Sequence, residues 1–261
     1  MSESSARPGQ VDEYPARLYA AVHDGNPGDV EFYRRRCAGA RSIVELGCGD
    51  ARVLATLAEP GRTLVGVDID PGLLELARAR LGATAGAELE LVCADMRTVE
   101  LPRRFDRVII PHGGLYCLLD EASLAATLAR VRALLEPEGQ LILDCWAADG
   151  FVLEADPDDQ DPGWLEIVKA FELDGERWEV LERSSWDKPS QRIDATYLHV
   201  QVGAEQAIEG LLRQRYLLAD QLRDALAAAG LELVELHGDF AGLPYDHESE
   251  LMVAIARPSR I

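Results

Sequence analysis

Between residues 41 and 146, short apolar runs alternate with amphipathic helical stretches, and that alternation limits what the chain can become more than any other feature. The runs at 42–46 (SIVEL), 64–68 (LVGVD), 89–95 (LELVCAD), 105–111 (FDRVIIP) and 140–146 (QLILDCW) are largely apolar, as strands covered on both faces are. Residues 52–58 read as a helix stopped by Pro60-Gly61. Residues 71–81 read as another, with Pro71 in its first turn, where a missing N–H costs little, and with Leu73, Leu74, Ala77 and Leu81 on one face. A third spans 121–135 and ends ahead of Pro137 and Gly139. Apolar strands joined by helices predict an α/β fold, a doubly wound parallel sheet with helices on both faces. The ligand of such a sheet sits beyond the carboxyl ends of its strands, where the strand order reverses.

The second half changes character. Residues 149–163 read as a loop carrying Glu154, Asp156, Asp158, Asp159 and Asp161 with no base, most simply a solvated connector. Strand-like runs follow at 164–173, 177–186, 192–202 and 207–217, rich in Trp, Val, Ile and Tyr. Asp174-Gly175 is a hairpin signal and Lys188-Pro189-Ser190 a turn signal. These runs predict an antiparallel sheet inserted after the fifth strand. The chain then returns to a helix at 220–229, closed by Gly230, and to strands at 231–236 and 251–256. The expected division is an N-terminal lid or cap at 1–40, a ligand-binding α/β core at 41–148, an inserted cap at 149–218 for substrate or oligomer contacts, and a closing part of the core at 219–261.

Composition narrows the function. The 26 Lys and Arg against 46 Asp and Glu leave a net charge of −20. A surface this acidic repels nucleic-acid phosphates and anionic membranes, so neither is expected as a partner. It also concentrates cationic small molecules such as amines, although solubility alone explains such a charge. No apolar run approaches the ~20 residues of a membrane span. Residues 1–10 are polar and read as a frayed tail rather than a signal segment. The five cysteines are odd in number with no C-x-x-C pair, which suggests neither a disulfide framework nor a zinc site and fits a reducing cytoplasm. A monomer and a homodimer are both compatible with the sequence.

The chemistry concentrates at Glu45-Leu46-Gly47-Cys48-Gly49-Asp50-Ala51-Arg52, which follows a strand and opens a helix. Glycines there let backbone approach a ligand closely. Asp68 follows Gly49 by 19 residues at the end of the second strand, where an acid accepts both ribose hydroxyls of an adenosine. Asp95, followed by Met96, ends the third. A dinucleotide fold wants G-x-G-x-x-G, but here the third glycine is replaced by Arg52, and Glu45 stands two residues ahead of Gly47. An acid at that place repels a pyrophosphate and suits the ammonium of a methionine moiety. The charge logic favours S-adenosylmethionine (SAM) over NAD.

Together these motifs resemble the class I SAM-dependent methyltransferases, over residues 29–146 and more loosely over the last three elements. Glu45-x-Gly47-x-Gly49 matches the first motif, Gly66-Val67-Asp68 the ribose motif, Cys93-Ala94-Asp95-Met96-Arg97 the adenine motif, and residues 105–111 the fourth strand. Leu135-Glu136-Pro137-Glu138-Gly139 resembles the turn before strand five. The likeness implies a Rossmann-like seven-stranded sheet with its last strand antiparallel. It implies that Glu45 sits near the methionine ammonium through water, that the Gly47 and Cys48 backbone lines the methionine, that Asp68 holds the ribose, and that Gly49 and Ile69 are among the cofactor-binding residues. Asp95 and Met96 would take the adenine, with Pro111 and His112 near the transferring methyl. The implied activity is methyl transfer to an amine or hydroxyl of a small metabolite, natural-product biosynthesis being one setting, with S-adenosylhomocysteine as product. A non-catalytic SAM-binding regulator and, behind it, an NAD-type dehydrogenase are the competing readings.

Several residues keep two readings. His112 is a general base or a positioning or structural imidazole. Tyr14, Tyr19 and His23 form a lid, or one side of a helix packed on the core through Leu18 and Val22. Tyr116, Trp146 and Tyr197 are candidates for the acceptor wall, whereas His199 reads as a half-exposed strand residue outside the site. Asp50 and Asp70 are candidates for helix caps, and Ala51 stands where the family often has a third glycine. No spacing suggests a metal.

Overall fold

The computed structural model describes residues 14–82, 87–161 and 163–259. The polar tail at 1–10 lies outside them. In chain order the first elements are α1 (Ala16–Val22), α2 (Asp29–Arg36), β1 (Ser42–Leu46), β2 (Thr63–Asp68), α3 (Pro71–Leu81), β3 (Glu88–Cys93), β4 (Phe105–Ile110), α4 (Glu121–Leu134) and β5 (Leu135–Trp146). Then come α5 (Ala148–Glu154), β6 (Glu166–Leu173), β7 (Glu176–Asp187), β8 (Arg192–Gln201), β9 (Ala207–Arg215), α6 (Ala219–Ala228), β10 (Leu231–His237) and β11 (Leu251–Pro258).

Seven strands form one sheet in the order β10-β11-β5-β4-β1-β2-β3. Strands β1 to β5 pair in parallel, and β11 runs antiparallel to both β5 and β10. Burial explains the order. β1 and β11 are buried almost without interruption and sit inside the sheet, whereas β3 alternates exposed and half-buried residues at its edge. Alternation within β1 sends Val44 and Leu46 to one face, against Val108, Leu128 and Leu222. Ile43 points to the other, against Phe32, Leu57, Ala77 and Ile109. Each such side chain, removed from water, contributes about 1.5–3 kcal/mol, so the two layers fix both the register and the positions of the loops at the strand ends. Among the described residues no helix is long and apolar enough to cross a membrane.

Strands β6 to β9 form a separate antiparallel sheet in sequence order. Its first hairpin turns on Asp174 and Gly175, both with positive φ (56° and 81°), the two-residue geometry that suits the strand twist. Tyr14 and Leu18 pack on Val180, Ala195, Tyr197 and Leu212 of this sheet. Lys169 of β6 is paired with Asp24 at 2.6 Å, and Arg17 of α1 with Asp174. The N-terminal segment and the inserted sheet therefore make one roof over the carboxyl ends of β1, β2 and β4.

Three local expectations need correction. The helix expected at 52–58 is only a 3₁₀ turn at Leu54–Leu57. Gly49 and Ala51 adopt positive φ (53° and 60°), so the chain is still turning where a helix would have begun, and Pro60 stops it soon after. The stretch at 149–163 is not all loop: α5 forms because Phe151 and Val152 pack on the main core. Pro137 and Gly139 lie inside β5 rather than ahead of it, at a point where the register against β4 shifts between Phe105 and Arg107.

Candidate active site

The loops at the carboxyl ends of β1, β2, β4 and β5 converge under α1 and β8–β9 on a cavity of about 670 Å³, within the ~300–1,000 Å³ of small-molecule sites. Glu45, Gly47, Cys48, Gly49, Asp68, Ile69, Asp95, Met96, Pro111, His112, Tyr14, Tyr19, Trp146 and Tyr197 all line it. Tyr116 does not. It is fully buried, its one hydroxyl proton shared between the carbonyls of Trp146 (2.8 Å) and Leu217 (3.1 Å). A ring this large on an apolar turn is drawn into the core, and that shared hydrogen bond holds it there.

One side of the cavity is built from the β1 and β2 loops. Gly47 takes φ 73°, and its N–H and that of Cys48 donate to the Val67 carbonyl at 2.8 and 3.0 Å, which folds the loop over β2. A side chain at Gly49 would meet nothing within 4 Å, so bare backbone faces open space there. Asp68 accepts from Gly49 N at 2.7 Å and from Asp70 N at 2.9 Å, one bond on each oxygen, leaving each a free lone pair. Glu45 is 3% exposed, and its Oε2 has no hydrogen-bond partner. Burial pushes the Glu45 carboxyl far above its ordinary range, against the nearby Arg52 charge. Asp95 lies past the end of β3 and is gripped by Arg97 Nε at 2.9 and 3.0 Å. Asp70 caps α3 through Gly72 N and Leu73 N, as expected, whereas Asp50 caps nothing and pairs with Arg80.

The other side is aromatic. Tyr14 contacts Tyr19, His23, Tyr197 and His199 with ring centroids 5.4, 6.1, 6.0 and 5.1 Å apart. His23 lies 4.2 Å from Tyr19, 5.1 Å from Tyr197 and 6.4 Å from His112. The Nε2 of His23 is buried without a partner. Desolvation, aided by the nearby His112, lowers its pKa to about 3, so it is neutral. His199 is fully buried, not half-exposed, and its Nε2 lies 2.8 Å from the Tyr14 hydroxyl. The sequence gives no sign that α1 covers β8, and that cover is what buries it.

His112 stands just past β4 with φ 52°, a left-handed conformation costing an ordinary residue roughly 1–2 kcal/mol. Asp144 of β5 holds the corner: its Oδ1 accepts from His112 N (3.0 Å) and the Tyr33 hydroxyl (2.6 Å), and its main-chain carbonyl accepts from Gly113 N (2.8 Å). Burial raises the Asp144 carboxyl to about 6. Strain kept at a cavity wall by a dedicated buried acid marks a functional position. Desolvation, then the Arg52 charge, lowers the His112 pKa below the ordinary 6.5, so its imidazole is a free base at neutral pH. Arg52, Asn26 and Gln214 also line the cavity and escaped the sequence reading. Arg52 stands four residues from Cys48 and could have been flagged; Gln214, far along the chain on β9, offered no signal. Among the described residues no group of three or more His, Cys, Asp or Glu side chains could hold a metal.

Residues 43–139 match the family model described as a methyltransferase domain. Over 94% of its length the chain is 28% identical to a dTDP-3-amino-3,6-dideoxy-α-D-glucopyranose N,N-dimethyltransferase of Streptomyces fradiae, 97% of which is covered. Two solved structures superpose well. The CcbJ methyltransferase of Streptomyces caelestis does so with TM-score 0.75 and 26% identity, over 95% of this chain and 94% of that one. The sugar N-methyltransferase KedS8 of Streptoalloteichus gives TM-score 0.69 and 26% identity, over 99% and 97%.

Proposed function

From the premise that the chain is a class I SAM-dependent methyltransferase, we propose that it methylates an amine nitrogen on a small metabolite, with His112 as the base. SAM fits the residues present. The orphaned Oε2 of buried Glu45 is matched to a cation such as the methionine ammonium, and the bare Gly47–Gly49 backbone to a close-packed ligand. The free lone pairs of Asp68 are matched to two ribose hydroxyls, and Asp95 with Met96 to the adenine. When bound there, SAM supplies a sulfonium-activated methyl group. What remains for the protein is alignment and handling of one proton.

The observation that carries the proposal is the His112 corner, which lines the same cavity as the glycine loop. An amine attacks only as the free base, and a neutral imidazole beside it can take the surplus proton. The amine rather than the hydroxyl is favoured because two of the similar proteins carry N-methyl transfer in their names. The antiparallel β11 between β5 and β10 departs from the six-stranded dinucleotide order and removes support for the dehydrogenase reading.

The test is His112→Asn, a residue that tolerates the left-handed conformation. Methyl transfer to an amine acceptor should fall about 10²–10⁴-fold with cofactor binding preserved. The wild-type rate should rise with pH along a limb lying below the ordinary histidine value of 6.5, and the variant should lack that limb. An unchanged rate or an unchanged pH limb in His112→Asn refutes the role.

A further inference from the structure

We infer that the acceptor amine sits on a scaffold free of phosphate, and that Nε2 of His23 hydrogen-bonds this acceptor beside His112. The inference rests on the reading that the aromatic side of the cavity receives the acceptor. A nucleotide-linked sugar would bring a diphosphate, and buried phosphates are met by Arg, Lys or free helix N-termini. Among the described residues the cavity's cations are Arg52 and Arg97, each already paired with a carboxylate. Arg52 gives both terminal nitrogens to Asp29, and its guanidinium lies flat against the bare Gly25, where even a Cβ would not fit. Arg97 is closed on Asp95. The N-terminus of α3 at the rim is filled by the Asp70 side chain. On the aromatic side the polar groups are uncharged: Tyr19, His23, Tyr197 and Gln214, with the Tyr14 hydroxyl already on His199. The net charge of −20 opposes a dianion further.

His23 supplies the second observation. A buried ring nitrogen without a partner costs stability unless a ligand meets it, and Nε2 is such an atom, on a residue that lines this cavity. The imidazole is neutral and can serve a hydroxyl or amine of an uncharged scaffold but holds no fixed charge for a phosphate. Tyr19 and Tyr197 flank it and give the apolar faces on which a sugar or other saturated ring can lie.

The experiment first saturates the full chain with S-adenosylhomocysteine, followed by calorimetry. Failure at that step sinks the cofactor reading, not this one. The loaded protein is then titrated with dTDP, with dTDP-3-amino-3,6-dideoxyglucose and with the methyl glycoside of the same amino sugar. Wild type and His23→Phe are compared for methyl transfer from labelled SAM to whichever sugar is accepted. The expected result is no saturable dTDP binding at the weak, ~1 mM end of the affinity scale and no gain from the diphosphate in either binding or turnover. His23→Phe should raise the acceptor KM about tenfold, as loss of one hydrogen bond does, with S-adenosylhomocysteine affinity unchanged. Saturable dTDP binding, or a preference of tenfold or more for the nucleotide-linked sugar, overturns the inference. An acceptor KM untouched in His23→Phe removes His23 from it.

Discussion

Glu45→Gln separates a ligand-binding acid from a structural one. In the ligand-free protein the Glu45 carboxyl is buried, its Oε2 has no partner, and burial holds its pKa far above the ordinary range. Burial thus favours the protonated form, whereas the ammonium of bound cofactor favours the ionised one, so binding should draw a proton off Glu45 and affinity should rise with pH. Glutamine keeps the shape and removes both the charge and the linkage. A hydrogen bond to a charged group is worth about 1.5–3 kcal/mol, so affinity for S-adenosylhomocysteine should fall about 10- to 150-fold. Stability moves the other way. A folded pKa raised above the unfolded value stabilises fully below the unfolded pKa and loses that contribution as pH rises through the folded one. Glu45→Gln lacks this loss, so the ligand-free variant should hold or exceed wild-type stability at pH 8. Calorimetry in two buffers of different ionisation enthalpy should show up to about one proton released per cofactor for wild type and none for the variant. Urea denaturation supplies the stability comparison. An affinity within twofold of wild type with unchanged proton release, or affinity and stability falling together, refutes the reasoning.

Two further outcomes follow from the buried polar and strained positions. Asp144→Ala strands the Tyr33 hydroxyl and the His112 N–H at about 1–3 kcal/mol each, so urea denaturation should show a loss of about 2–6 kcal/mol, with methyl transfer impaired as the His112 corner relaxes. Asp144→Asn keeps the Oδ1 acceptor and should be milder; because the folded Asp144 pKa is raised to about 6, wild type should lose stability relative to this variant as pH climbs from 4 towards 7. Ala51 is buried with φ 60°. Ala51→Gly should stay within about 1 kcal/mol of wild type, since relief of about 1–2 kcal/mol of left-handed strain is offset by lost methyl burial of about 0.8 kcal/mol and about 0.5–1 kcal/mol of chain entropy. Ala51→Val should cost at least the about 1–3 kcal/mol of an overpacked core, read from the same denaturation curves.

The strand alternation carried most of the fold because a doubly covered parallel strand must be largely apolar where it is covered, as β1, β2, the second half of β4 and residues 141–143 of β5 are. Hairpin chemistry at Asp174-Gly175 did the same for the inserted sheet. What periodicity could not show was backbone conformation. The left-handed turn at Ala51 consumed the start of a helix that the residue types permitted, and α5 formed from Phe151 and Val152 only because a distant core was there to receive them. At the site, residues on the glycine loop and at strand ends were legible because their roles follow from local chain direction. His23 was legible as a lid candidate with Tyr14 and Tyr19, but His199, Asp144 and Gln214 were not, since each meets the site or its neighbours only across long stretches of sequence. Tyr116 misled for the same reason: one turn beyond His112, nothing local separates a cavity wall from a core ring with its hydroxyl satisfied by two carbonyls.

The most direct test is calorimetric titration of the chain with SAM and S-adenosylhomocysteine, with Asp68→Ala as the paired variant. Asp68 accepts from the backbone N–H groups of Gly49 and Asp70. If its free lone pairs hold the ribose, wild type binds both ligands with micromolar affinity, and Asp68→Ala, still folded by circular dichroism, weakens that binding by about two charge-assisted hydrogen bonds, roughly 10²-fold or more. Absence of binding by folded wild type, or equal binding by wild type and Asp68→Ala, contradicts the placement of the cofactor.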